Sequence, residues 1–543
     1  MIDRKGARRA LWALALPACL LPDALVADPS KVRLLWVSIV AAALAAALYR
    51  DDTPERAQRF LGHPGVFWGM VGGWAALAFT LSMLKYRAFG DHLAFDTAYH
   101  VQVLWNTLNG RLLEGSILQQ LHFSPPLRSH MAMHVSPAFL AILGVFWIKP
   151  GYGILMLVKA IATASAAIPL RAIARRPLGD AAATLVAAAY LLHPTVLGQT
   201  VHAFYPIVLA GPALLGAFWA WERRRFGWFL ALLGATLMVR EDLGLVISAF
   251  AGVGLVERLT TRKADTGWRW ILTPPVLGLG WYLLCGRVIM PAFDGGAAHS
   301  NVLFWYAGFG SGGREIVLRI LTDPLHTLAV IFTGAKVLYV WQLLRPLAFL
   351  PLLGAPALLA LPSFAFNLLV TRPEPATISP TGHYSITITA ALAVASVAAL
   401  AHIARAKGQR TALLAALFAV AMSASAITDS LGREELAHLE LTDRGRAVHE
   451  ALAMIPPHAT VVAPGYALPH VATAPEAYAA ERVGHYPTFR PEWALLDVHP
   501  GGVYIVPGEE AAVLARYQRF LTDPGYEKVF DRSEIVLLRR RGD

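Results

Sequence analysis

Apolar runs long enough to form membrane helices recur through the first four-fifths of the chain, and no other feature constrains the fold as strongly. They lie near 10–26, 33–49, 66–84, 152–170, 181–198, 205–221, 227–239, 243–256, 270–290, 326–344, 346–366, 384–401 and 411–428. A full helical crossing takes about 20 residues, so the shorter runs are tilted or buried. The chain is 56% hydrophobic and only 15% charged, with a mean hydropathy of +0.50. A soluble globular chain is about a quarter charged. The expected fold class is therefore mainly α: a polytopic helical membrane protein of about 13 spans.

The net charge of +11 does not point to nucleic acid. The basic residues cluster in short loops between spans: RAIARR (171–176), ERRR (222–225), ERLTTRK (257–263) and HIARAKGQR (402–410). Such loops face the cytoplasm under the positive-inside rule. The run SPAFLAILGVFWI (136–148) is too short to cross comfortably and reads as half-inserted; counted as a full span, it would put RAIARR outside. With the N-terminus inside, the outer face then receives 85–134, the HAFYP turn (202–206), the RED turn (240–242), 291–325, 371–383 and everything after 428. The start, MIDRKGARRALWALAL, reads as a signal anchor or first span rather than a cleaved signal peptide, because a second apolar run follows at once. Cys19 and Cys285 both sit in apolar runs, which argues against a disulfide framework, and two cysteines are too few for a thiol metal site.

Three units follow. Residues 1–60 carry two extra spans, 61–428 form the main membrane domain with an external loop at 85–134, and 429–543 form a polar tail. The tail has strand-like runs at 459–464, 492–498 and 534–540, and an amphipathic helix at 508–523. It is expected to be a small extracytoplasmic α/β domain.

The external loop opens with LAFDTAYHVQVLWN (93–106). On a helical wheel Asp96, Tyr99, His100, Gln102, Asn106, Thr107 and Asn109 share one arc, and Ala98, Val101, Leu104, Trp105 and Leu108 the other. The spacing predicts an amphipathic helix lying in the interface with its apolar face in lipid. Asp96 is either an N-terminal cap, favoured there by the helix dipole, or a functional carboxylate. Further on, His122, His130 and His134 come close in sequence, and a pair one turn apart can bind zinc. No HExxH frame or cysteine supports a divalent metal there, so hydrogen bonding or substrate contact is the preferred role and no cofactor is expected. The spans flanking Arg240, Glu241 and Asp242 reach only about 20 Å each, which sinks that turn below the outer surface. Charge at that depth is either an internal Arg–carboxylate staple or a polar site facing a wet cavity. His383–Tyr384 open a span, where a tyrosine is commonly an interface anchor.

Taken in order, these residues form a pattern: D-x-x-x-x-x-Q-x-x-W-N (Asp96, Gln102, Trp105, Asn106), H-x-S-P (His134, Ser136, Pro137), a basic loop, a turn ending in Pro206, Glu241–Asp242, and His383–Tyr384. The pattern resembles the bacterial and archaeal membrane family with domain of unknown function 2079, from about residue 66 onward. That family is similar to the GT-C superfamily of membrane glycosyltransferases, which carry an acidic residue in the first external loop just after a membrane helix. Asp96 occupies that place. Departures fall at Ala203 and Tyr205, where an acidic residue and a histidine are expected, with His202 nearby as a substitute. Ala390 lies where a proline is usual, and Pro469–His470 fits without the arginine expected shortly after.

The resemblance implies a transferase that moves a sugar from a polyprenyl-phosphate donor on the outer face, among membrane lipids. Asp96 would be the general base. Arg240, Arg128 and His383 would meet the lipid phosphate as its charge grows. Glu241 or Asp242 would bind sugar hydroxyls or the acceptor, with His100 and His134 orienting, and Gln102, His202 and Tyr384 completing the substrate contacts. The alternative is a transporter or lipid-handling protein without chemistry, since charges in membranes also mark transport paths. Against it, the spans show no inverted repeat.

Overall fold

A computed structural model describes residues 53–90, 94–120, 127–261, 267–293, 305–371, 377–430, 438–485, 490–499 and 510–542. The expected spans at 10–26 and 33–49, Cys19 and His122 lie outside these residues.

The chain is mainly helical. Among the described residues, Pro64–Ala88, Tyr152–Leu191, Leu243–Thr260, Trp268–Phe293, His383–Lys407 and Gln409–Ala426 are long and apolar enough to cross a membrane. The stretch Tyr152–Leu191 is not one rod. Arg171 Nε lies 3.3 Å from Thr184 Oγ1, whereas thirteen residues of straight helix would separate them by about 20 Å. Pro177 and Gly179, at φ 77°, turn the chain between them, and Arg171 and Arg175 pair with Asp180 across the turn. The chain therefore turns between the runs expected at 152–170 and 181–198, and the second run is itself interrupted between Leu191 and Pro194.

The expected count of about 13 full crossings is not established. Phe226–Leu237 has 12 residues. Pro324–Ile331 and Gly334–Leu347 form a pair bent by 61°. The run at 346–366 is broken into 3₁₀ turns at Arg345–Leu347, Leu350–Leu353 and Ala355–Ala360 before a helix at Leu361–Leu368. The cause is in the sequence: Pro346, Pro351, Pro356 and Pro362 each remove a backbone donor. The segment read as half-inserted forms a helix of 9 residues, Ala138–Phe146, with Leu140, Trp147 and Ile148 exposed at its outer side and end.

The tail is α/β. Strands β1 (Val461–Ala463), β2 (Ala477–Ala479), β3 (Trp493–Asp497), β4 (Tyr526–Arg532) and β5 (Ile535–Arg540) form one sheet in the order β2-β1-β3-β5-β4. β1 is parallel to β2 and β3, and β5 is antiparallel to β3 and β4. The helix Glu510–Thr522 packs Val513 and Tyr517 onto one face, against Val462, Leu496 and Val536. β1, β3, β5 and this helix fall on the expected segments; β2 and β4 were not expected.

The tail sits on the segment 94–120, and this corrects one expectation. The Ala94–Leu108 helix does not lay its apolar arc in lipid: Ala98, Val101 and Leu104 are fully buried, and Trp105 stacks on His458 of the tail at 5.2 Å. The docking is specific. β2 is the edge of the sheet, and side chains of the loop occupy its free hydrogen-bonding positions. Ser116 Oγ accepts from Ala477 N at 3.0 Å and donates to its carbonyl at 2.7 Å. Gln120 does the same for Ala479, at 2.6 and 3.1 Å. An open strand edge is thereby closed. Behind the loop, His449 and His470 donate to Arg87 O and Tyr86 O at 2.8 and 3.2 Å, satisfying carbonyls at the end of the Pro64–Ala88 helix.

Candidate active site

The site grows from the first turn of the Ala94–Leu108 helix, where Asp96 lies half-buried. The turn at 202–206 faces it. The Pro194–Val201 helix ends at His202, and Pro206, fixed in φ, starts the next 3₁₀ turn. Three hydrogen bonds hold the segment between. Lys159 Nζ donates to His202 O at 2.6 Å, Phe204 N donates to Thr97 Oγ1 at 3.0 Å, and Tyr205 OH donates to Asp96 Oδ2 at 2.5 Å. Lys159 is a charge inside an apolar helix, buried and held by a backbone carbonyl.

From Tyr205 an aromatic chain leads across the site. Its ring stacks on His383 at 3.7 Å and 20°. His383 lies 4.0 Å from Tyr384, and the Arg240 guanidinium sits 5.9 Å from the Tyr384 ring. Arg240, His202, His134 and His100 lie near enough to His383 to act on it electrostatically. The RED turn is joined to the loop at HVSP: Glu241 Oε1 meets His134 Nδ1 at 2.9 Å, and Glu241 Oε2 accepts from Val135 N at 2.9 Å.

The internal staple weighed from the sequence is present. Arg240 Nε and a terminal guanidinium nitrogen bond the two oxygens of Asp242 at 2.5 and 2.6 Å. Burial opposes the Asp242 charge, but the guanidinium outweighs it and holds the carboxyl below its ordinary range. Arginine has five N–H donors, so the pair leaves part of the fork for a ligand. Burial disfavours the charged forms of His100 and His130. Burial lowers His100 to about 3 and His130 well below its ordinary value, aided by neighbouring histidines. They act as hydrogen-bonding groups, not cations; Tyr99 OH and His130 Nδ1 are 2.9 Å apart.

Asp96, His100, His134, His202, Arg240, Glu241, Asp242, His383 and Tyr384 thus lie in one neighbourhood. Two expected substrate residues do not. The Gln102 amide donates to Ser116 Oγ at 2.9 Å and accepts from Ile117 N at 2.9 Å, bracing the loop against β2. A polar wheel position was read as facing a cavity, but it faces the docked tail. Arg128 is exposed, and no contact ties it to the group around Asp96. Tyr205, Thr97 and Lys159 were not singled out as site residues. Lys159 carried a signal, since a lysine in an apolar run is costly without a partner. Among the described residues, no group of three His, Cys, Asp or Glu side chains is placed to hold a metal ion.

The chain matches the model of a family described as predicted membrane protein, domain of unknown function 2079, over residues 91–518. No curated protein matches. Among solved structures, ArnT from Cupriavidus metallidurans bound to undecaprenyl phosphate is similar at a TM-score of 0.50 and 13% identity, over 88% of this chain and 98% of that one. The Archaeoglobus fulgidus oligosaccharyltransferase, in complex with Zn and sulfate, is similar at 0.39 and 14%, over 84% and 71%. The first likeness shows that this chain has an ArnT-like fold.

Proposed function

The chain belongs to the family of predicted membrane proteins with domain of unknown function 2079, and from that premise we propose that it is a membrane glycosyltransferase using a polyprenyl-phosphate-linked sugar. The observation that carries the reading is the placement of Asp96. In an ArnT-like fold it stands at the start of the Ala94–Leu108 helix, beside histidines, tyrosines and an arginine drawn from four other segments, which supports the reading. ArnT was crystallised with undecaprenyl phosphate, and a lipid phosphate is the leaving group we assign here.

In the proposed reaction Asp96 takes the proton of an acceptor hydroxyl as its oxygen attacks the anomeric carbon. The bond from that carbon to the phosphate oxygen breaks, and its electron pair leaves with the lipid phosphate. Charge then grows on the phosphate and needs donors fixed in advance. Arg240, oriented by Asp242, supplies N–H groups, and His383 and Tyr384 lie beside it. Glu241 and His134 hold the wall where sugar or acceptor hydroxyls bind. The acceptor is an envelope lipid, glycan or protein, and the reaction takes place on the extracytoplasmic face of the bacterial cytoplasmic membrane. That side is supported by charge: RAIARR and ERRR fall at the opposite ends of the spans from the site.

The test is transfer of labelled sugar from a panel of polyprenyl-phosphate donors to a cell-envelope extract, with the full-length protein in lipid. Transfer above a protein-free control is the expected result. No transfer from any donor, with donor binding intact, would overturn the reading.

A further inference from the structure

Resting on the transferase reading, we propose that Tyr205 is a positioning residue, whose hydroxyl fixes the carboxylate of Asp96 for proton transfer. The bond is 2.5 Å, with the phenol as donor and Oδ2 as acceptor. A neutral phenol donating to an ionised carboxylate makes a charge-assisted bond, about twice as strong as a neutral pair.

The hydroxyl can do this because the rest of Tyr205 is held in place. Its ring lies flat against His383 at 3.7 Å. Its backbone sits in a turn tied to the Asp96 helix through Phe204 N and Thr97 Oγ1, and to the Tyr152–Ser165 helix through Lys159. Two of these bonds, Phe204–Thr97 and Tyr205–Asp96, join neighbouring residues of the turn to neighbouring residues of the helix. The turn and the helix's first turn are therefore registered as one unit, and Asp96 is oriented within it.

The bond also favours the ionised carboxylate, the form a base needs, because it is strongest to that form. Titratable and charged groups in this neighbourhood include Tyr99 and His100 on the Asp96 helix, Lys159 and His202 at the facing turn, and His134, Arg240, Glu241, Asp242, His383 and Tyr384 across the site; Arg240 is paired with Asp242 and Lys159 with a backbone carbonyl. Burial disfavours the charged form of His100, so it does not supply a competing positive charge.

The test uses full-length protein in lipid and a hydrophobic carbodiimide, which modifies carboxyl groups only when they are protonated. Labelling of the Asp96 peptide is followed by mass spectrometry against pH, with Asp96→Asn as the blank. Tyr205→Phe keeps the ring stack and removes only the hydroxyl. Its labelling midpoint should move up by about one pH unit, the scale of one lost hydrogen bond to a charged group. Thr97→Val loosens the turn without touching Tyr205 and should move the midpoint the same way by less. Unmoved midpoints in both folded variants would overturn the proposal. Labelling needs neither sugar nor acceptor, so this result is independent of whether transfer occurs. Where transfer is measured, the acid limb of its pH profile should move with the labelling midpoint.

Discussion

Lys336 shows what a single charge inside an apolar run does in this molecule. Its ammonium donates to Val330 O, Leu368 O and Val370 O at 2.8, 2.6 and 2.7 Å. These carbonyls lie at the ends of two helices, where the backbone has no partner of its own. Lys336→Met leaves one buried and two part-buried acceptors unmet, at about 1–3 kcal/mol for the buried one and less for the others. Thermal unfolding in detergent should show a clear loss of stability for Lys336→Met, and an unchanged midpoint would refute the staple. The same residue scale shows what was legible in advance. Asp96, His134, Arg240, Glu241, Asp242 and His383 could be named from charge and motif order, because ionisable groups at a membrane surface are few. Tyr205 could not be placed. A tyrosine in a turn looks like an interface anchor, and its partner is 109 residues away. Gln102 lies away from Asp96 for a related reason: a wheel gives a direction but not what stands there.

At the scale of elements, the RED turn owes its position to a close helix crossing. Gly244 and Gly278 meet with backbones so near that a Cβ on either would overlap the other's carbonyl. Small residues permit this approach between membrane helices. Gly278→Val should push apart Leu243–Ser248 and Trp268–Leu284 and loosen the Glu241–His134 contact, lowering both the melting temperature and any transfer rate. A variant with wild-type stability would show that the crossing does not set the turn. Periodicity revealed most of these helices. It failed where proline dissected an apolar run at 346–366, and where the Ala94–Leu108 helix found protein on the side predicted for lipid. Both failures come from information absent from local hydropathy: the loss of donors in one case, and a domain 350 residues downstream in the other.

At the scale of the whole molecule, the tail is docked onto the loop that carries Asp96. Glu481 lies at this junction. It accepts from Gly465 N at 2.9 Å, and Gly465 lies against Phe95. Burial, with a small contribution from Asp497, raises its carboxyl from 4.5 to about 7 against the pull of its hydrogen bonds. The folded chain therefore holds a proton that the unfolded chain releases. The resulting stability is fully present below pH 4.5 and falls as pH rises to about 7. The total is about 3 kcal/mol. Glu481→Gln keeps an acceptor for Gly465 and should remove this slope, so that the variant is the more stable protein at pH 8. Equal pH dependence in both proteins would show that Glu481 does not titrate across this range.

The central claim is that the carboxylate so positioned is the base of a sugar transfer. The most direct measurement is the single-turnover rate of transfer by Asp96→Asn beside wild type, at saturating donor and in the same lipid. The amide keeps the shape and an acceptor for Tyr205 but cannot take the proton. A loss of about 10³-fold with donor binding unchanged is the expected result, in line with the contribution of a general base. Transfer at the wild-type rate would contradict the account, whatever sugar is moved.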